Sequence, residues 1–271
     1  MALRLKQVTP ALGAVWVRQG FRIFKQQPLA FSLLLVLFMS FGFVGLLLPV
    51  VGSMLLLTAL PLLSLAFMLA SNTVLRNLPV TARVFLEPFK VDATRTRAQI
   101  TLGAGYAFAT VLIMLLANWV DGGRFEALQT AMAAEKPNEA TLQKLLLEPQ
   151  LLGGMLVRLG LAAMLSIPYW HAPALVHWAG QGARQALFSS CLAVWKNRGA
   201  FVFNTLVWAS MAFAAMLTVS LVSAALGLAK LLAMMSFPLV LLFTTVFYAS
   251  LYFMYVDCIE FDSEISRQTT T

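Results

Sequence analysis

Charge is what this 271-residue chain has least of: Asp, Glu, Lys and Arg make up 11% of it, against about 25% in soluble domains. Apolar residues take up 60%, where roughly 45–50% is usual. That leaves too little polar surface to cover a water-soluble fold. Cysteine is nearly absent as well. Cys191 and Cys258 make no disulfide framework; both fall in segments that the charge distribution assigns to the cytoplasm, where thiols stay reduced, and they read as small apolar residues. There are two histidines, His171 and His177. Six positions apart, they point in opposed directions on a regular helix, and no Cys or carboxylate is spaced to complete a zinc site. They read as interfacial histidines beside Trp170 and Trp178. Ser189-Ser190-Cys191 has no base at useful spacing, and Gly180-Gln181-Gly182 reads as a helix end rather than a phosphate loop. The expectation is a protein that is not an enzyme and carries no cofactor or metal.

What the chain has is long apolar runs. Leu29–Leu75 contains no charged residue; one helix of that length would reach roughly 70 Å, more than twice a hydrocarbon core about 30 Å thick. It must cross twice, turning at Leu48-Pro49-Val50-Val51-Gly52. Six spans follow, at about 29–48, 50–75, 98–120, 151–175, 200–226 and 231–256, with the last turn near Gly227-Leu228-Ala229-Lys230. The fold class is an all-α polytopic membrane bundle, a single integral-membrane domain over 1–271. The N-terminal apolar stretch is longer than a secretory signal core and turns back into a second span, so the N-terminus is read as retained.

The formal charge of +8 comes from small groups of Lys and Arg flanking the spans, which are topology signals and lipid-headgroup contacts rather than a nucleic-acid surface. With both termini cytoplasmic, fourteen Lys/Arg lie inside and four outside, Arg158 set aside. This positive-inside balance predicts a bacterial inner-membrane protein, N-in and C-in. Residues 121–150 form a periplasmic loop of five acids and three bases. Phe125, Leu128 and Met132, then Leu142, Leu145 and Leu146 after a break at Pro137-Asn138, predict a short helical hairpin. The tail Asp257–Thr271 is polar and is expected to fray.

Residues 8–27 read as an amphipathic interfacial helix. Arg18, Arg22 and Lys25 share one face and Leu12, Trp16 and Ile23 the other, so the helix is expected in the headgroup plane, apolar face toward lipid, with Pro28 breaking it from the first span. Phe24-Lys25, Phe89-Lys90 and Trp195-Lys196 each precede an apolar run, suggesting three similarly oriented units of interfacial helix, span, span. Arg184, Lys196 and Arg198 add further candidate contacts to anionic headgroups.

Within the spans, Arg158 is the exception, roughly 10 Å along its helix from the outer end. It reads either as an anion contact or as a snorkelling cation; no carboxylate is read within any span. Pro61, Pro168 and Pro238 are candidate kinks. Ser220/Ala224 and Ser223/Gly227 give small-residue spacing for helix packing or for a dimer.

The run Trp170–Val176, followed by Ala186-Leu187, Ser190, Ala193, Asn197 and Phe201, and the opening Trp16, Gly20, Phe24 and Pro28 resemble an uncharacterised family of proteobacterial, mainly betaproteobacterial, inner-membrane proteins. The resemblance implies six helices and no assigned activity. A fainter likeness is to the membrane domain accompanying some bacterial glycerophosphodiester phosphodiesterases, whose soluble catalytic domain has no counterpart here. The functional expectation is a non-enzymatic protein that organises lipids or partner proteins, with a permease or channel for a small or lipidic solute as the alternative. Its partners are the bilayer's anionic headgroups, with other membrane proteins or further copies of itself, and no nucleic acid.

Overall fold

A computed structural model describes residues 3–45, 47–134, 138–227 and 229–261. Helix α1 (Leu12–Gln26) leads into α2 (Pro28–Gly45) and α3 (Pro49–Leu75). After two short 3-10 turns (Ala82–Phe85, Glu87–Phe89) comes α4 (Ala93–Asp121), then α5 (Arg124–Ala133) and α6 (Glu139–Leu146). The chain returns through α7 (Pro149–Tyr169) and α8 (Ala172–Ala179), turns through α9 (Ala183–Lys196), and finishes with α10 (Arg198–Ala225) and α11 (Ala229–Cys258). Among the described residues six stretches are long and apolar enough to cross a membrane, and α7 and α8 together make one of them. They agree with the expected spans to within a few residues.

Local chemistry sets the boundaries. Pro49 opens α3, where its missing N–H costs nothing. Asp92 caps α4 by accepting the Arg95 N–H at 2.7 Å. Gly122 and Gly123, both at positive φ, turn the chain after Asp121. Pro61 and Pro238 sit inside continuous helices. Pro168 also lies inside its helix, and the break in this span comes two residues later, at Trp170-His171. There the ring of Pro173 removes an N–H and crowds the carbonyl four residues back. Ser190 repairs the gap, accepting from the His171 N–H at 3.0 Å and donating to the Ile167 carbonyl at 3.1 Å.

α3 is the centre of the bundle. It packs against α2, α4 and α11, and Leu65–Ser71 are buried without interruption, as a helix enclosed on all sides requires. α7 leans on α4 and α9, while α10 leans on α1 and α11. Packing concentrates toward the end that carries both described termini. In the opposite half, α10 leaves Phe213, Leu217 and Leu221 exposed, the surface a bilayer would cover.

Several expectations need correction. α1 does not rest its apolar face on lipid: Trp16, Val17, Gly20 and Ile23 are buried against α10 and α11. Glycines allow this, because a Cβ at Gly20 would stand 2.8 Å from the Val246 carbonyl oxygen, and one at Gly13 only 2.4 Å from that of Ala200. The second of the three supposed interfacial helices is instead the pair of 3-10 turns, where Pro79 and Pro88 leave no room for an α-helix. The tail is ordered as far as it is described. Leu3–Leu5 (β1) pairs antiparallel with Ile259–Phe261 (β2), with Lys6 and Glu260 in an ion pair at 3.1 Å. His171 is fully buried against Phe201 and Tyr255, not interfacial. The α5–α6 hairpin forms as expected, with Leu128 buried. Pro137, Leu228 and the tail after Phe261 lie outside the described residues.

Candidate functional site

The most elaborate polar construction is at the end that carries the termini. α3 stops in a C-terminal motif built on Asn77 at φ 58: the Leu78 N–H reaches the Thr73 carbonyl at 3.1 Å and the Asn77 N–H that of Val74 at 2.9 Å. The next strand-like residues are held by one side chain. Gln27, at the corner between α1 and α2, donates to the Leu78 carbonyl and accepts from the Val80 N–H, both at 2.9 Å. This clamp sets the position of the two 3-10 turns beside α3.

The turns carry two different faces. Arg83 and Glu87 look into a cavity of about 490 Å³ that they share with Asn72 and Thr73 of α3, with Arg76 just past its end, and with His177 and Trp178 of α8. On the other side, Phe85, Leu86 and Phe89 close the end of an apolar groove of about 700 Å³ walled by Leu37, Phe41 and Val44 of α2 and Leu62 of α3. Among the described residues neither Arg76 nor Arg83 has an ion-pair partner, and His177 Nδ1 is buried without a hydrogen bond. Arg95 fixes the α8 wall, donating to the His177 carbonyl at 2.8 Å while its Nε pairs with Asp92 at 3.1 Å. Glu87 is the one acid in that lining, set against two guanidinium groups that have no ion pair among the described residues; two such groups beside an apolar groove can take an anion attached to a hydrocarbon chain.

The candidate cations scatter. Arg18, Arg22 and Lys25 line the exposed face of α1, and Arg184 is exposed on α9. Lys196 is already engaged, donating to the Leu5 carbonyl at 2.8 Å, and Arg198 lies over the Trp195 ring at 5.2 Å. Arg158 is neither a snorkelling cation nor free for an anion. Its Nη1 meets Asp121 Oδ2 at 2.5 Å, its Nη2 bonds Asn118 Oδ1, and Phe125 covers the guanidinium at 4.3 Å. Asp121 is fully buried at the end of α4, one residue past the expected span, so a carboxylate does sit within the bundle. Arg76 and Arg83 were legible only as loop charges. Asp121 had a signal: a lone Arg inside a span calls for an acid near the same bundle end.

Two asparagines matter more than any expected site residue to the placing of the N-terminus. Asn197 accepts from the Val8 N–H at 2.8 Å and donates to the Lys6 carbonyl at 2.9 Å; Asn204 donates to the Gly13 carbonyl at 2.9 Å. With Trp16, Gly20, His171, Ser190 and Phe201, Asn197 belongs to the residues that carry the family resemblance, and all of these are buried. These six serve packing, while of the same set Pro28 is exposed and Phe24, Trp170 and Leu187 are partly exposed.

The six apolar helices and their shared core define the class as a helical polytopic membrane protein. The chain is similar to a "Probable inner membrane protein" of Burkholderia thailandensis, 27% identical over 257 residues that cover 94% of each chain. No family model matches the chain, and no solved structure matches it.

Proposed function

We propose that this protein is a non-enzymatic component of the inner membrane that organises anionic lipid, holding one at the end of the bundle that carries both termini, and that this end faces the cytoplasm. The observation behind the reading is the two-faced loop Ala82–Phe89, which separates a cavity with two unpaired arginines from an apolar groove. An anionic phospholipid matches both faces: its phosphate suits the forked donors of Arg76 and Arg83, and its chains suit Phe41, Phe85 and Phe89. The orientation draws on the Lys/Arg balance of fourteen to four. In that orientation the site lies on the leaflet whose negative surface potential attracts basic segments.

The test is lipid retention. The full chain is reconstituted in nanodiscs containing phosphatidylglycerol and phosphatidylethanolamine, then released and analysed by native mass spectrometry. The expected result is preferential carry-over of phosphatidylglycerol, lost when Arg76 and Arg83 are both changed to Gln. Equal retention of the two lipids, or retention indifferent to those substitutions, would overturn the reading.

A further inference from the structure

A second cavity lies deeper, where α3, α4, α7 and α11 come together. It holds about 180 Å³ and is lined by Pro61 and Ser64 of α3, Tyr106 of α4, Tyr169 of α7, and Phe247 and Tyr248 of α11. No charged side chain lines it. Tyr106 lies roughly 13 Å along α4 from Arg97 at 1.5 Å per residue, a depth inside the hydrocarbon layer. Apart from Pro61, these lining residues are partly exposed, so the cleft opens toward the space that lipid occupies. α7 and α11 meet here through Trp170, whose indole packs on Phe247 with centroids 6.0 Å apart and donates to Met254 Sδ at 3.3 Å.

The tyrosine hydroxyls need explaining. Tyr169 packs edge-on against Tyr106 at 5.0 Å, and Gly105 has just enough space for it: a Cβ there would stand 2.9 Å from the Tyr169 oxygen. Among the described residues neither the Tyr169 nor the Tyr248 hydroxyl has a hydrogen-bond partner. In hydrocarbon an unpaired hydroxyl costs free energy that water cannot relieve. The remedy is a polar atom inside the cleft.

We propose that this cleft binds the uncharged, carbonyl-bearing head of a lipid-soluble ligand, with Tyr169 and Tyr248 donating hydrogen bonds to the carbonyl oxygens and the tail lying outside among the acyl chains. A charged head is disfavoured because nothing in the lining neutralises it. The space, equal to roughly six water volumes, suits a glycerol ester or one quinone ring and is too small for the whole amphiphile. Both sources present the same acceptor chemistry. This site is separate from the basic cavity of the proposed function, and it stands or falls independently.

Photolabelling tests it. The full chain in phosphatidylcholine nanodiscs is irradiated with a diacylglycerol carrying a diazirine near its ester carbonyls, and in parallel with a phosphatidylcholine carrying the same group. Peptide mapping should place the diacylglycerol adducts on α3, α7 and α11 around the cleft. Changing Tyr169 and Tyr248 together to Phe, which keeps both rings, should cut them about tenfold; Tyr169→Phe alone serves if the double variant melts early. Displacement by unlabelled dioleoylglycerol assigns the ester, and displacement by decyl-benzoquinone assigns the quinone. Equal labelling by both probes, or labelling unchanged in the Phe variants, would overturn the proposal.

Discussion

Arg158 and Asp121 form an ion pair at 2.5 Å that locks α7 to α4 at the end opposite the termini. Asp121 is wholly enclosed, and Gly154 makes the approach possible, since a Cβ there would stand 2.5 Å from the Asp121 Cβ. The second Asp121 oxygen accepts from the Gly123 N–H at 2.8 Å, so the same carboxylate also fixes the turn into α5. Removing one partner of a buried pair leaves an uncompensated charge, which costs about 3–5 kcal/mol. Asp121→Asn should therefore lower the melting temperature in detergent sharply, by the equivalent of about 3 kcal/mol, the low end because Arg158 keeps some exposure. Asp121→Asn combined with Arg158→Met should recover most of the loss. A double variant no more stable than the single one would rule out charge pairing as the cause. It follows that loss of function in Arg158→Ala alone reports on folding before it reports on any solute.

Asn197 is the latch of the N-terminus. Its side chain holds the Val8 N–H and the Lys6 carbonyl, and β1 then pairs with β2 at the far end of the sequence. Asn197→Ala should release residues 3–8 and 259–261 together, seen as faster amide exchange at both, with about 1–3 kcal/mol lost for the unpaired groups. Asn197→Asp keeps the acceptor for Val8 but no longer donates to Lys6, so it should fall between. Exchange confined to one of the two strands would contradict the latch.

The spans were legible because a run with no charge has one physical meaning, and their ends were marked by Pro49, Asp92 and Gly122. The partners of α1 were not. Amphipathic spacing shows that Trp16 and Ile23 seek an apolar surface, and it does not distinguish lipid from the faces of α10 and α11 that Gly13 and Gly20 let α1 approach. Asp121 was misread for a similar reason: Gly122 and Gly123 announce a loop, and the acid before them was counted with it. The basic cavity depends on contacts between α3, the 3-10 turns and α8, which are remote in sequence and carry no shared motif.

Packing and charge on α1 should separate cleanly. Gly20→Val pushes a side chain into the Val246 carbonyl and the Ser250 Cβ, both 2.8 Å from a bare Cβ, so it should destabilise by about 1–3 kcal/mol through overpacking. Arg18, Arg22 and Lys25 are exposed; changing all three to Gln should alter the folding stability by no more than about 0.5 kcal/mol per substitution. The same triple change should weaken retention of anionic lipid, read by mass spectrometry of the purified protein. Retention unchanged in this variant would leave α1 with a packing role alone.

The native thiols report orientation. Cys191 on α9 is partly exposed and Cys258 is buried, so a membrane-impermeant maleimide should react at Cys191 and leave Cys258 untouched until the protein unfolds. Partial burial raises the Cys191 thiol above its ordinary pKa. Its thiolate fraction therefore grows as pH rises toward that value, and labelling should be faster at pH 8 than at pH 7. Gln129→Cys adds a reporter on the exposed side of α5, at the opposite end of the bundle. If the basic end is cytoplasmic, intact spheroplasts should label position 129 and spare Cys191, and inverted vesicles should do the reverse. The opposite pattern would put fourteen of the nineteen Lys and Arg residues outside, against the positive-inside bias. It would also move the Arg76–Arg83 cavity to the outer leaflet, away from the anionic surface that the proposed function needs.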